Sequence, residues 1–269
     1  MNRDPKLPWT VRGHNLAHFL TKNAARLPDR PALIWGETVI SWAELDARVS
    51  ALAVAIVQDF GLQPGDRVMV QSPNNTQMTE IMFACWRTGL VWVPSNFRQR
   101  PDEVAYLAQK SDVSLMFCEQ DYPDHATACV EAAPKLSQVI CIGSGFGTAY
   151  DEVIAGHMGT PMTNADIDRD APCWLFFTSG STGRPKAVVL THGQLTFTAL
   201  NHLNDLTPAT TPEDMSLVVA PLSHGAGMHQ LMMVAAGVAP VLLPSGKFDP
   251  AEAWRLVEQH RLPNTFPVP

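Results

Sequence analysis

Residues 176–186 hold four hydroxyl side chains, Thr178, Ser179, Ser181 and Thr182, two glycines, Gly180 and Gly183, and two basic residues, Arg184 and Lys186. They continue an apolar run, CWLFF at 173–177, which reads as a short buried strand leading into a loop. Gly180 and Gly183 reach backbone angles closed to other residues, so successive N–H groups can converge on one anion. The hydroxyls add donors, Pro185 restricts the approach to Lys186, and Lys186 supplies a mobile positive charge. The chemistry this suits is the binding of a polyphosphate. The Walker pattern is excluded, because it needs Gly, Lys and Ser or Thr in succession, and Arg184 and Pro185 separate Gly183 from Lys186.

The stretch FFTSGSTGRPKAVVLTHGQL resembles the phosphate-loop signature of the adenylate-forming (AMP-binding) superfamily, which spans acyl-CoA synthetases, aryl-CoA ligases, peptide-synthetase adenylation domains and luciferases. GDRVMVQSPNNTQMTEIMFACWRTGLVWVPSNFR, RPDEVAYLAQKSDVSLMFCE and FDPAEAWRLVEQHRLPNTFPVP follow in the order that family shows, so the likeness extends over almost the whole chain. Ala187 departs from it, standing where the family usually carries glycine. The resemblance implies that Thr178, Ser179, Gly180, Ser181, Thr182, Gly183, Arg184, Pro185 and Lys186 bind ATP, with Lys186 also acting in catalysis and Thr178 touching Mg²⁺. It also singles out His224, in APLSHGAGMHQ, as a catalytic candidate. A strand, a turn through Gly225 and Gly227 and a following helix would bring His224 near the mouth of the first loop. His229 reads as pocket wall.

The activity so implied is that of an acid–thiol ligase, an AMP-forming acyl-CoA synthetase. A fatty or aryl carboxylic acid attacks the α-phosphorus of ATP to give an acyl-adenylate, and coenzyme A then displaces AMP. The chain resembles only the N-terminal half of such an enzyme. The acidic metal ligand, the ribose-binding aspartate and the mobile C-terminal lid domain have no match here, so these 269 residues are expected to be inactive alone. Two alternatives stand beside this reading: a non-catalytic nucleotide-binding module and a peptide-synthetase adenylation domain.

The elements that must carry these residues alternate along the chain. Ser41 and Glu44 form a capping-box pattern, followed by apolar residues at helical spacing up to Gly61. RVMVQ, LVWVP, VSLMFCE, QVICIG, MSLVVAP and APVLLP read as short strands separated by amphipathic helices, one of them capped by Asp249 and begun by Pro250. Such alternation predicts an α/β, doubly wound fold of mostly parallel sheets flanked by helices. The aperiodic stretch GHMGTPMTNADIDRD suggests a boundary, giving a first α/β subdomain over 1–170 and the start of a second, carrying the phosphate loop, over 171–269.

Charge and composition limit the partners. A net charge of −7 argues against a nucleic-acid surface. The longest apolar stretch, LMMVAAGVAPVLLP, is interrupted by Pro240 and too short to span a bilayer. Five cysteines without metal-type spacing read as reduced thiols of a cytoplasmic protein, and a homodimer is compatible with the whole. His14 and His18 read as a partly exposed helix face rather than a metal pair, and GSGFG as a turn rather than a dinucleotide loop.

Overall fold

The structure is a computed structural model that describes residues 13–178, 184–246 and 248–267. In chain order, α1 (His18–Arg26) leads into a hairpin, β1 (Pro31–Trp35) and β2 (Thr38–Ser41), and then into α2 (Trp42–Gln58). Strands and helices alternate through β3 (Arg67–Gln71), α3 (Thr76–Thr88), β4 (Val91–Pro94), α4 (Pro101–Lys110), β5 (Val113–Glu119), α5 (Pro123–Ala132) and β6 (Gln138–Ile142), followed by β7 (Thr148–Ala149) and α6 (Tyr150–Ala155). A second hairpin, β8 (Pro172–Thr178) and β9 (Lys186–Thr191), runs into α7 (His192–Asn201) and a π-helical turn at His202–Leu206. The remaining elements are β10 (Met215–Val218), α8 (Gly225–Ala236), β11 (Ala239–Leu242), α9 (Pro250–His260) and β12 (Asn264–Thr265).

Local chemistry sets these boundaries. The Ser41 hydroxyl accepts from the Glu44 N–H and starts α2. Asn75 does the same for α3, which ends where Gly89 turns left-handed at φ 77°. Asp249 accepts from the N–H groups of Ala251 and Glu252 to open α9. The two hairpins were not evident from the sequence, because neither pairs two cleanly alternating runs. GSGFG is a run of bends with Gly143, Gly145 and Gly147 at positive φ, as a turn requires. His14 differs from expectation, lying ahead of α1 rather than within it.

Among the described residues the strands form two sheets, ordered β12-β10-β11-β1-β2 and β7-β6-β5-β3-β4-β8-β9. Each is parallel throughout except at one edge, where β2 and β9 turn back antiparallel. The mixed α/β fold with parallel sheets flanked by helices therefore holds. Sheet membership crosses residue 170: β8 and β9 complete the sheet begun by β3, and β1 and β2 complete the sheet of β10 to β12.

Period-two burial divides the strands between layers. In β3, Val68 and Val70 join the central core and Met69 joins the core under α4 and α5. In β10 and β11, Val218 and Leu242 face the centre, and Leu217 and Val241 face α9. The layers thus run α4 and α5, the larger sheet, a central helical layer, the smaller sheet, then α9. Helix α3 lies in the central layer and is buried nearly all round. Its charged residues are paired there: the fully buried Glu80 accepts from Arg48 at 2.8 Å and from the Tyr150 hydroxyl at 2.7 Å, and the buried Arg87 pairs with Asp46. All five cysteines are buried and unpaired by disulfides, and burial pushes the Cys118 and Cys129 thiols up to about 12. No described helix is long and apolar enough to cross a membrane.

Candidate functional site

Both parallel sheets deliver loops at the carboxyl ends of their strands, and these loops meet where β8 ends and α8 begins. On β8, Leu175 and Phe177 pack with the outer core, so Trp174, Phe176 and Thr178 share the opposite face. Thr178 is half-buried at the strand end, and the exposed Lys186 is its direct partner on β9. Residues opposite each other in an antiparallel pair project to the same face, so the hydroxyl and the ammonium leave the hairpin together. Ala187 pairs with Phe177 as an ordinary strand residue, which needs no positive φ and explains how the departure from glycine is accommodated.

A cleft of about 380 Å³ opens here. Thr178, Pro185 and His224 line it together with Phe177 and Ser223, and Asn96, Gln99 and Glu103 line it too. Lys186 and Arg184 are not part of that lining; Arg184 instead lies over the Tyr106 ring, 5.5 Å from its centroid. Ser179, Gly180, Ser181, Thr182 and Gly183 lie outside the described residues.

His224 occupies the N-cap position of α8 without a side-chain capping bond. Its ring packs on Phe176, centroids 4.3 Å apart, and this partial burial lowers its pKa below the usual histidine value, which favours the neutral imidazole. Two further contacts hold the backbone that carries it. The Asn74 side chain, just past β3, donates to the Ala220 carbonyl and accepts from the Leu222 N–H, both at 2.8 Å, so it ties the end of one sheet to the end of the other. Gly227 lets the first turn of α8 settle on β8, since a Cβ there would lie 2.1 Å from the Leu222 carbonyl oxygen and 3.0 Å from the Trp174 ring.

His229 is buried on α8, its Nε2 3.1 Å from the Ser216 hydroxyl and its ring stacked on Phe266. It is not among the residues lining this cleft. His14 lies beside the Thr196 hydroxyl, and no group of three or more His, Cys, Asp or Glu suited to a metal occurs among the described residues. Sequence reasoning missed Asn74, Asn96, Gln99 and Glu103. Asn74 and Asn96 follow strand ends, which is the signal that could have found them. Gln99 and Glu103 have visible local roles, accepting from the Asn96 and Arg100 N–H groups.

Comparison with known proteins bears on the fold and the family. A feruloyl-CoA synthase from Amycolatopsis sp is 32% identical over 259 residues, 96% of this chain and 50% of that protein. A fatty acid–[acyl-carrier-protein] ligase from Streptomyces coeruleorubidus is 31% identical over 170 residues, 63% of this chain and 31% of that protein. The structure of a long-chain-fatty-acid-CoA ligase from Archaeoglobus fulgidus superposes with a TM-score of 0.84 at 20% identity, over 94% of this chain and 51% of that one. The chain thus spans about half the length of the synthase it matches. The family model described as AMP-binding enzyme matches residues 20–269, and the chain belongs to that family.

Proposed function

We propose that this chain forms the phosphate-binding and acid-binding part of an AMP-forming acid–thiol ligase, acting on a fatty or aryl carboxylic acid with ATP and coenzyme A. The observation that carries the reading is that Thr178, Pro185 and His224 line a single cleft at the strand ends. In this reading the hydroxyls and amides of residues 178–183 and the Lys186 ammonium neutralise the triphosphate. The carboxylate oxygen forms a bond to the α-phosphorus as the bond to the leaving pyrophosphate breaks. The thiol sulfur then attacks the acyl carbon, losing its proton as AMP departs.

Alignment of two anions is the protein's main task, and a neutral His224 suits it, because an imidazole can donate one hydrogen bond and accept another beside the reacting carboxylate. From this chain the Thr178 hydroxyl would help to hold Mg²⁺. The metal would supply charge neutralisation on the phosphates. The relatives that act on ferulate and on fatty acids support the acid classes named, and their acceptors support a thiol.

Two measurements test this. Calorimetry should detect ATP binding to the 269-residue chain. Pyrophosphate release from ATP, measured on the product of the complete reading frame with acids from acetate to long-chain and hydroxycinnamic examples, should depend on the acid. Binding without any acid-dependent release would make the protein a nucleotide-binding module instead.

A further inference from the structure

We propose that Phe176 is the positioning residue for His224, fixing its imidazole at the cleft by ring contact alone; the consequence for catalysis rests on the ligase reading above. The two rings lie 4.3 Å apart, centroid to centroid, with planes inclined by 53°. Among the described residues nothing polar competes for the role. His224 makes no side-chain capping bond, and none of the described residues hydrogen-bonds to its ring. Both ring nitrogens are therefore left for a ligand, which a histidine anchored through a carboxylate or a carbonyl could not offer.

A ring contact positions its partner only if the supporting ring is itself immobile. Phe176 leans on Trp174, 5.7 Å away, which packs on Trp92 at 4.6 Å, which in turn packs on Trp86 at 6.5 Å. The three tryptophans are fully buried. The support therefore runs as an unbroken aromatic ladder from the central core to the cleft, each step an edge or tilted contact of the kind aromatic rings prefer. The same Trp174 also sets the depth of the first α8 turn through its contact at Gly227. One strand thus fixes both the backbone and the ring of His224, and two residues further along the same face it presents Thr178. Phe176 sets the spacing between the two groups that the proposed reaction uses.

Histidine-observed NMR on the intact chain tests this, with the His224 signals assigned by a His224→Asn variant. In the native chain the His224 ring protons should carry the ring-current shift of a stacked phenyl group. Phe176→Leu and Phe176→Met should abolish that shift and move the His224 titration midpoint up toward the ordinary histidine value, while Phe176→Tyr should retain both features. The buried His192 signals report whether each variant is folded, and whichever non-aromatic variant keeps them unchanged decides the matter. Glu103, the other titratable group among the residues lining the cleft, keeps its capping bond to Arg100 in every variant and so contributes equally to all midpoints. A folded Leu or Met variant with native His224 shifts and midpoint would overturn the proposal. Absence of acid-dependent pyrophosphate release would remove the ligase reading and leave this result untouched.

Discussion

Lys186 stands directly opposite Thr178 across the β8–β9 pair, so the loop between them starts and ends on backbone that the sheet holds in register. A loop with both ends fixed loses less conformational freedom when it closes on a ligand. If the loop grips triphosphate, Lys186→Ala should weaken ATP binding by roughly 1.5–3 kcal/mol, the range for a hydrogen bond to a charged group. Unchanged affinity by calorimetry would count heavily against the assignment. Lys186 is exposed, so the variant should fold normally.

Asn74 is predicted to be worth more than its half-buried position suggests. Asn74→Leu removes two hydrogen bonds and leaves the Ala220 carbonyl and the Leu222 N–H without them. A loss of about 2 kcal/mol in urea unfolding is expected, together with weaker ATP binding as the His224 segment loosens. A variant as stable as the native chain would show that the two sheet ends are held together elsewhere.

Gly227→Ala should be more damaging than Gly225→Ala. At 227 the new Cβ meets a backbone oxygen at 2.1 Å and cannot be relieved by a side-chain rotation, whereas at 225 it meets the Phe266 ring at 3.0 Å, which can tilt. The expected costs are about 3 kcal/mol or more against about 1 kcal/mol, in line with overpacking a dense core. Thermal unfolding of the two single variants checks the order.

Stability should fall as the solution is acidified from neutral pH. His192 and His229 are both buried, and burial lowers each to about 4 in the folded chain from 6.5. The unfolded state therefore takes up protons first. The contribution of each residue is complete above about pH 6.5 and is lost as the pH falls towards 4, up to about 3 kcal/mol apiece. Urea titrations at pH 7.5 and 5 should show the loss, and His192→Gln should show a smaller pH dependence even if it is less stable throughout.

Much of this architecture was legible residue by residue. The caps at Ser41 and Asp249, the left-handed Gly89 and the short strands RVMVQ and VSLMFCE appear where the pattern puts them, because each depends on neighbours a few positions away. The hairpins and the pairing of β1 with β11 were not, since KAVVLT alternates too weakly and pairing is a property of distant segments. The polar residues of the candidate site follow the same division. Thr178, Lys186 and His224 stood out by motif, whereas Asn74 stands out only once its partners at 220 and 222 are known.

The interleaved sheets also govern the order in which the molecule can be assembled. β1 emerges early from the ribosome, yet its parallel neighbour β11 lies about two hundred residues later, as the contact between Ile34 and Val241 records. Until that partner is synthesised, the first hairpin has one edge without its native mate, although its apolar side chains already need cover. Nascent chains arrested before residue 239 should therefore be chaperone clients, and release past residue 242 should free them.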